Sequence, residues 1–200
     1  MKHNICLALL ILLLAGVAVA GNSHETTETG KPTFEADFPS GGRLRMHIRS
    51  GDVTVRGTED AKIRVHYDGT AADDIKDVKV NLKTDGTYGD LHISGGPHNH
   101  FEIIVEVPKQ SDLWLRVFAG DVTVQDLVGS KDVELWAGDL VIDAGNPEDY
   151  AHAEASVRAG DLETGRFGGE KSGMFRSFER SGNGKYRLHA HTTFGDVTLR

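Results

Sequence analysis

The stretch Leu113-Trp-Leu-Arg-Val-Phe-Ala-Gly-Asp-Val-Thr-Val124 decides the fold. Apolar residues alternate with other residues on both sides of Gly120-Asp121, and this period of two is typical of β-strands with one buried face. A tight corner between strands often needs a positive φ, which glycine adopts without a Cβ penalty. The aspartate that follows can accept a hydrogen bond from a backbone N–H that the corner leaves unpaired. The stretch therefore predicts a strand, a corner and a second strand.

The same pattern recurs along the chain, each time around a Gly-Asp pair. Apolar residues stand three and five positions before most of these glycines, and two and four positions after them. Counting seven positions back from Gly138 places Lys131 on the same inward face. The pattern before Gly89-Asp90 is weak, so that copy predicts a hairpin at most. Five pairs are predicted to be structural corners: Gly51-Asp52, Gly120-Asp121, Gly138-Asp139, Gly160-Asp161 and Gly195-Asp196.

A longer duplication includes two of these corners. Residues 39–55 align without a gap with residues 108–124, and each copy begins with a proline that ends the strand before it. No segment shows sustained helical periodicity, so the chain is predicted to be all-β. Strands that return at short intervals to one register favour a β-solenoid, a parallel β-helix-like stack of coils. An antiparallel β-sandwich with Gly-Asp hairpins is the alternative. The predicted domain covers residues 34–200, with duplicated parts of about 34–100 and 101–200.

The first twenty residues have the features of a secretory signal peptide. Lys2 precedes an apolar run, and Ala18-Val-Ala20 fits the small-x-small pattern before a cleavage point. We expect the mature chain to begin at Gly21, and an uncleaved anchor is the alternative. Residues 21–33 are polar and lack periodicity, which predicts a flexible leader. The expected location is extracytoplasmic: secreted, periplasmic or at the cell surface.

Composition narrows the functional classes. The 200 residues include 30 Asp and Glu against 22 Lys and Arg, which gives a formal net charge of −8. This acidic balance disfavours nucleic acid as a general partner. Cys6 is the only cysteine and lies in the signal segment. The mature chain is therefore expected to have no disulfide, no thiolate nucleophile and no thiolate metal ligand.

These features together resemble a known group of proteins. The export signal, the run Val105-Glu-Val-Pro108, the repeated Gly-Asp turns and the ending from Gly184 to Leu199 resemble the bacterial "putative adhesin" families. These are exported domains of unknown function and are related to head-GIN-type domains. The resemblance covers about residues 34–200. It implies a β-solenoid-like, extracytoplasmic, non-enzymatic protein, and it supplies no catalytic residues.

The outward positions of the predicted strands suggest a binding surface. They place Trp114, Phe118 and Trp136 on neighbouring strands as an aromatic patch, with Arg116 inside it and Arg158 one coil away. Aromatic faces with guanidinium donors suit sugar rings of an envelope glycan, or a protein partner. The alternative is that the chain covers this face itself with the apolar segment Met174-Phe-Arg-Ser-Phe178.

Two other functions stay open at this stage. A polysaccharide lyase or hydrolase on a β-helix would need carboxylates converging in a groove, and Trp136 with Glu134 and Arg116 is the nearest approach. A second obvious acid is absent there, so we predict no enzyme and no catalytic residue. An accessory or sensor subunit could instead dock a partner through residues 174–178.

Metal binding is a weak expectation. His98-Asn-His100 and His189-Ala-His191 each place two imidazoles on one face of an extended segment, but no third ligand stands at a fixed spacing. The calcium-binding β-roll repeat has a nine-residue period that the Gly-Asp pairs do not follow. The sequence therefore predicts no metal site and no cofactor.

Overall fold

A computed structural model describes residues 23–68, 75–97, 101–168, 170–171 and 174–200. The predicted signal peptide with Cys6, and the pair His98 and His100, lie outside the described residues. Within the described ranges, no helix has the length and hydropathy that crossing a membrane requires.

The described residues form eighteen strands and two short 3₁₀ turns, so the all-β prediction is confirmed. The strands of the first half are β1 Ser23–Thr29, β2 Thr33–Asp37, β3 Arg43–Ser50, β4 Asp52–Thr58, β5 Lys62–Asp68, β6 Lys79–Asp85, β7 Tyr88–Ser94, β8 Glu102–Pro108 and β9 Asp112–Ala119. Those of the second half are β10 Val122–Gln125, β11 Lys131–Ala137, β12 Leu140–Ile142, β13 Tyr150–Ala159, β14 Leu162–Glu163, β15 Glu170–Lys171, β16 Met174–Ser181, β17 Tyr186–Phe194 and β18 Val197–Leu199. The 3₁₀ turns are Pro147–Asp149 and Gly165–Phe167.

The strands form two open, mixed sheets of nine strands each within the described part of the chain. Sheet A has the order β1-β6-β7-β3-β9-β11-β17-β13-β16, and sheet B the order β15-β14-β18-β12-β10-β4-β8-β5-β2. Six consecutive strands in each sheet run parallel, from β7 to β13 in sheet A and from β8 to β14 in sheet B. Antiparallel pairs lie only toward the edges of the described sheets. The hairpin pairing of an antiparallel sandwich is therefore limited to those edges.

Five Gly-Asp corners each lead from a strand of sheet A to a strand of sheet B, and we call such a strand, its corner and the next strand a rung. The corner glycines have φ values between +117° and +147°. Their neighbours also require glycine: a Cβ on Gly138 would lie 2.3 Å from the carbonyl oxygen of Gly120. A Cβ on Gly195 would lie 2.1 Å from the carbonyl oxygen of Gly138. The corners are therefore in direct backbone contact with one another.

The corner aspartates form a ladder along the same line. The Asp121 N–H donates to Oδ1 of Asp52 at 3.0 Å, and the Asp139 N–H donates to Oδ1 of Asp121 at 2.9 Å. The Asp196 N–H continues the ladder to Asp139 at 2.9 Å, and the Asp161 N–H reaches Asp196 at 2.7 Å. Four of the five carboxylates thus accept the N–H of the next corner in the stack, not one from their own corner.

The rungs do not follow one another in chain order. β3 lies between β7 and β9, and β17 lies between β11 and β13. Sheet B repeats this order, with β4 between β8 and β10, and β18 between β12 and β14. A simple solenoid adds each coil beside the previous one, and this chain departs from that rule at two places. Before β7 the chain turns back in the hairpin of β6 and β7. Before β17 it crosses β13, from the edge strand β16 to the position between β11 and β13.

The duplicated segments are neighbours in the stack. Leu44 of β3 pairs with Leu113 of β9, and Val53 of β4 pairs with Val122 of β10. Each residue of the first copy therefore lies beside its equivalent in the second copy, in both sheets.

The pair Gly89-Asp90 is not a corner, because it lies inside β7. Gly89 is required there for another reason: a Cβ on this residue would lie 2.8 Å from the Phe38 ring. The hairpin before β7 turns at Gly86, which has a φ of +58°.

The flexible leader predicted over residues 21–33 also needs correction. Residues 23–29 form β1, which pairs antiparallel with β6 at the edge of sheet A. Polar cross-strand contacts replace apolar burial: the Asn81 side chain donates to Glu25 at 2.8 Å and to Thr27 at 2.6 Å. A strand held in this way has no apolar alternation for the sequence to show.

One apolar core lies between the two sheets, and the inward residues counted from the corners fill it. Leu115 and Val117 before Gly120, and Val122 and Val124 after it, are all buried. Lys131 occupies an inward position and is buried with them, with 2% of its surface exposed.

Candidate functional site

The candidate site lies on the outer face of sheet A, which is the face turned away from the core. An aromatic row crosses three neighbouring strands there: Phe118 of β9, Trp136 of β11 and Phe194 of β17. Their exposed fractions are 60%, 48% and 50%. The rings of Phe118 and Trp136 are nearly parallel with centroids 6.1 Å apart, and Phe194 meets Trp136 edge-on at 5.9 Å. Three large exposed aromatic side chains in contact are typical of an interaction surface.

The position of the row follows from the corners. Phe118 and Trp136 each stand two residues before a corner glycine, where the side chain points outward. Phe194 stands directly before Gly195, where the corners at Gly120, Gly138 and Gly160 have alanine. The corner contacts hold all three backbones at a fixed spacing. The row is therefore presented by a sheet and does not depend on a loop.

The predicted aromatic patch divides into two parts. Trp114 lies four residues before Phe118 on the same strand, a distance of about 13 Å at the usual rise of a strand. Its ring lies between the guanidinium groups of Arg45 and Arg116, whose Cζ atoms are 4.4 Å and 3.9 Å from the ring centroid. Trp114 is therefore half-buried by cation–π contacts and does not belong to the aromatic row.

Arg116 is fully engaged by its neighbours. It forms ion pairs with Asp132 at 2.8 Å and Glu134 at 3.0 Å, and it donates to the carbonyl oxygen of Leu115 at 3.0 Å. Glu134 and Arg116, the nearest approach to a catalytic pair in the sequence, are thus bound to each other. This arrangement gives the hydrolase alternative no free general acid at Glu134.

Arg158 and the segment 174–178 extend the apolar surface without covering the aromatic row. The segment belongs to β16, which pairs antiparallel with β13 at the edge of sheet A. Phe175 is 69% exposed, and the Arg158 guanidinium lies 5.8 Å from its ring centroid. Phe178 points the other way and packs against the core. The self-covering arrangement considered in the sequence analysis is not the one that these residues adopt.

A shallow trough of about 500 Å³ runs beside the aromatic row. It crosses five parallel strands, from β7 to β17, which spans about 19 Å at the usual distance between strands. Its polar side chains are His47, Arg49, His92, Arg116, Glu134 and His191, and its apolar wall includes Phe118 and Trp136. The trough therefore combines an aromatic wall with hydrogen-bonding groups of both charges.

Two histidines of the trough favour the neutral form. Burial lowers the pKa of His47, and the nearby His92, Arg45 and Arg116 act in the same direction. Burial also lowers the pKa of His191, although Glu134 opposes the shift. His191 Nδ1 lies 2.9 Å from the hydroxyl of Ser156. Both imidazoles can therefore offer a lone pair or an N–H to a ligand at neutral pH.

A second depression of about 650 Å³ lies farther from the corners on the same face. Trp114, Asp132, Glu154 and His189 are among its lining residues. His189 lies 3.6 Å from Glu154 and 3.8 Å from Glu134. The predicted pair His189 and His191 thus lines two different depressions and does not point to one common ligand.

Two groups of side chains in the described part of the chain have metal-ligating atoms close together. They are His47, Asp90 and His92, and Asp132, Glu134 and His189; in each group the atoms lie within 4.8 Å of one another. The first group was not predicted, because its members come from β3 and β7 and nothing in the sequence shows that these strands are neighbours. Phe194 was not predicted either, since its only signal is a bulky residue where most corners have a small one.

Comparisons with known proteins add information about the fold. No family model matches this chain, and no curated protein matches it. The head-GIN-type resemblance therefore has no support from a family match. A solved structure described as "a putative cell adhesion protein" from Clostridium sporogenes ATCC 15579 is similar over 88% of this chain and 98% of its own, with a TM-score of 0.51 and 13% identity. At that identity, the similarity extends to the all-β fold alone.

Proposed function

We propose that this chain is an exported, non-catalytic, adhesin-like protein that binds a glycan of the cell envelope or cell surface through the trough on sheet A. The export signal and the resemblance to adhesin families support the location and the general class. The similarity to the clostridial structure is consistent with that class. The aromatic row is the observation that carries the proposal.

The chemistry of the row suits a sugar. Phe118 and Trp136 offer apolar ring surface to the C–H groups of a sugar, while Arg49 and the imidazoles of the trough can bind its hydroxyl or carboxylate groups. The open trough crosses five strands, so an extended oligomer can contact several of them at once. A shallow and elongated shape of this kind favours a chain of sugars over a compact metabolite.

The scaffold supports the same function. We infer that the five rungs act as a solenoid-like stack with a non-sequential order, in which the aspartate ladder fixes the spacing of the outer face. Outward side chains on such a stack are preorganised, so little conformational freedom is lost when a ligand binds.

A glycan array tests the proposal with residues 21–200 and three variants. Trp136→Ala and Phe118→Ala each remove part of the aromatic row. Tyr88→Ala is the matched control, because Tyr88 is an exposed aromatic residue outside the lining of the trough. We expect retention on one class of glycan that falls about tenfold or more in the first two variants and is unchanged in the control.

Two outcomes would contradict the proposal. Either the unaltered protein is retained on no glycan, or Trp136→Ala is retained as strongly as the unaltered protein. If a pull-down from envelope extract then recovered a protein only while Trp136 was intact, a protein partner would replace the glycan as the ligand of the aromatic row.

A further inference from the structure

We propose that His47, Asp90 and His92 form a binding site for a divalent transition metal ion such as Zn²⁺. One potential ligand atom from each residue lies within 4.8 Å of the other two. Asp90 Oδ1 and His92 Nε2 are 3.1 Å apart. This inference does not rest on the proposed binding of glycans.

The sheet brings these residues together. β3 and β7 are parallel neighbours, and His47 stands directly opposite His92 in their register. Asp90 lies two residues before His92, so its side chain is on the same outer face of the strand. The imidazole rings of His47 and His92 are stacked with centroids 4.6 Å apart. Three ligands are thus placed by backbone pairing inside a sheet, which is a rigid support for a site.

The donor set selects the class of metal. Two imidazole nitrogens and one carboxylate suit zinc, nickel, copper or ferrous iron, whereas calcium and magnesium prefer oxygen ligands. With bonds of about 2.0 Å to a tetrahedral zinc ion, ligand atoms lie about 3.3 Å from one another. The distance between Asp90 and His92 already fits this geometry. The His47 nitrogen lies within 4.8 Å of both atoms, and its ring must turn out of the stack with His92 to reach the same separation.

The second group of potential ligands, Asp132, Glu134 and His189, is a poorer site for a cation because an arginine already occupies it. In the group of Asp132, Glu134 and His189, the Arg116 guanidinium already neutralises both carboxylates at 2.8 Å and 3.0 Å. Asp90 forms no ion pair with an arginine or lysine among the described residues. Its Oδ1 is buried and lies 3.1 Å from Nε2 of His92, without a hydrogen bond of good geometry among the described residues. A buried carboxylate oxygen without an arginine or lysine partner is costly, and a bound cation would remove that cost.

Arg45 is the charge that most opposes a cation at this site. It stands opposite Asp90 in the register of β3 and β7, and its guanidinium rests on the Trp114 ring. The other nearby cations have acidic partners: Lys83 lies 3.5 Å from Glu25, and Arg116 has its two carboxylates. Removal of Arg45 should therefore tighten metal binding, an effect that no structural disturbance of the site would produce.

Calorimetric titration with ZnCl₂ tests the site, using residues 21–200 that have been freed of metal with EDTA. We expect one zinc ion to bind with an affinity that falls at least about tenfold in His47→Ala and in His92→Ala. Arg45→Ala should bind more tightly than the unaltered protein. His66→Ala, from the outer face of sheet B, and His189→Ala are the controls and should leave this affinity unchanged.

A spectroscopic measurement keeps the result independent of folding defects. Long-range ¹H–¹⁵N spectra of the unaltered protein should show the imidazole nitrogens of His47 and His92 shifting together as zinc is added. The proposal is overturned if no zinc binds or if these nitrogens do not shift. It is also overturned if His189→Ala lowers the affinity for zinc and His47→Ala does not.

Discussion

Four of the five corner glycines face the carbonyl group of a neighbouring corner, and Gly51 faces that of Phe101. Gly138 has a φ of +133°, and a Cβ on it would lie 2.3 Å from the Gly120 oxygen. A side chain at this position would therefore meet two penalties, the backbone conformation and the collision. Gly145 carries only the conformational penalty: its φ is +73°, but nothing lies within 4 Å of the place that its Cβ would occupy.

We predict that Gly138→Ala lowers the free energy of unfolding by about 3 kcal/mol or more, because it combines strain with a clash against backbone. The matched variant Gly145→Ala should lose only about 1 kcal/mol, from conformational strain alone. Urea unfolding followed by circular dichroism measures both values. Equal losses would mean that the contact between corners does not require glycine.

The aspartate ladder gives a second prediction for single residues. Asp121→Ala removes the acceptor of the Asp139 N–H and should cost about 1 kcal/mol, since the corner is exposed and water can replace part of the bond. Asp161 is the control, because no main-chain N–H of the described residues donates to its carboxylate. Asp161→Ala should leave the urea midpoint almost unchanged. If Asp161→Ala lost as much stability as Asp121→Ala, the hydrogen bonds of the ladder would not be the source of that stability.

At this scale the sequence is informative but ambiguous. The corners could be predicted because a small residue, glycine and aspartate occur between two alternating patterns. The same dipeptide at Gly89 has a different role, since the Phe38 ring occupies the space that a side chain would need. The dipeptide alone does not distinguish the two roles, and only the weak alternation before Gly89 indicates the difference.

At the scale of elements, a buried lysine links β11 to β13. Lys131 Nζ donates to the Tyr150 hydroxyl at 2.9 Å and to the Gly129 carbonyl oxygen at 3.2 Å. The Tyr150 hydroxyl donates in turn to the carbonyl oxygen of Ala144 at 2.8 Å. Burial lowers the pKa of Lys131 to about 8, although Asp143 and other acidic groups oppose the shift.

This burial predicts that stability rises with pH in the alkaline range. Between pH 8 and 10 the unfolded chain keeps the Lys131 proton that the native protein releases, so the free energy of unfolding should increase by about 2 kcal/mol. Above pH 10 the effect should be offset, because burial raises the pKa of Tyr150 and its ionisation favours the unfolded chain. Urea unfolding at pH 8, 9 and 10 measures the rise, and Lys131→Met should abolish it. An identical rise in the variant would contradict this explanation.

The inward position of Lys131 could be predicted from its spacing to Gly138, but its partner could not. Tyr150 belongs to β13, and β17 lies between β13 and β11 in sheet A. Contacts that cross an intervening strand depend on the order of strands, which local periodicity does not contain.

At the scale of the whole molecule, the all-β class could be predicted and the order of strands could not. The duplication indicates that β3 and β9 are similar, and they are neighbours in the sheet. Nothing comparable indicates that β7 lies beside β3. The candidate metal site depends on that second pairing, so it became visible only in three dimensions.

The order of strands predicts that truncations at the two ends of the chain differ in their effect. A chain of residues 21–184 lacks β17 and β18, which separate β11 from β13 and β12 from β14. We expect it to lose cooperative thermal unfolding, because parallel strands on both sides of the gap lose their partners. A chain of residues 30–200 lacks only the edge strand β1 and should still unfold in one transition. Circular dichroism melts compare the two, and a cooperative melt of the first would contradict the prediction.

The interior position of β17 and β18 has a consequence for synthesis. These strands leave the ribosome after β13 and β14, yet they occupy the space beside them. The facing edges of β11 and β13, and of β12 and β14, keep unpaired backbone groups until residues 186–199 have been synthesised. Nascent chains should therefore be sensitive to proteases until late in translation.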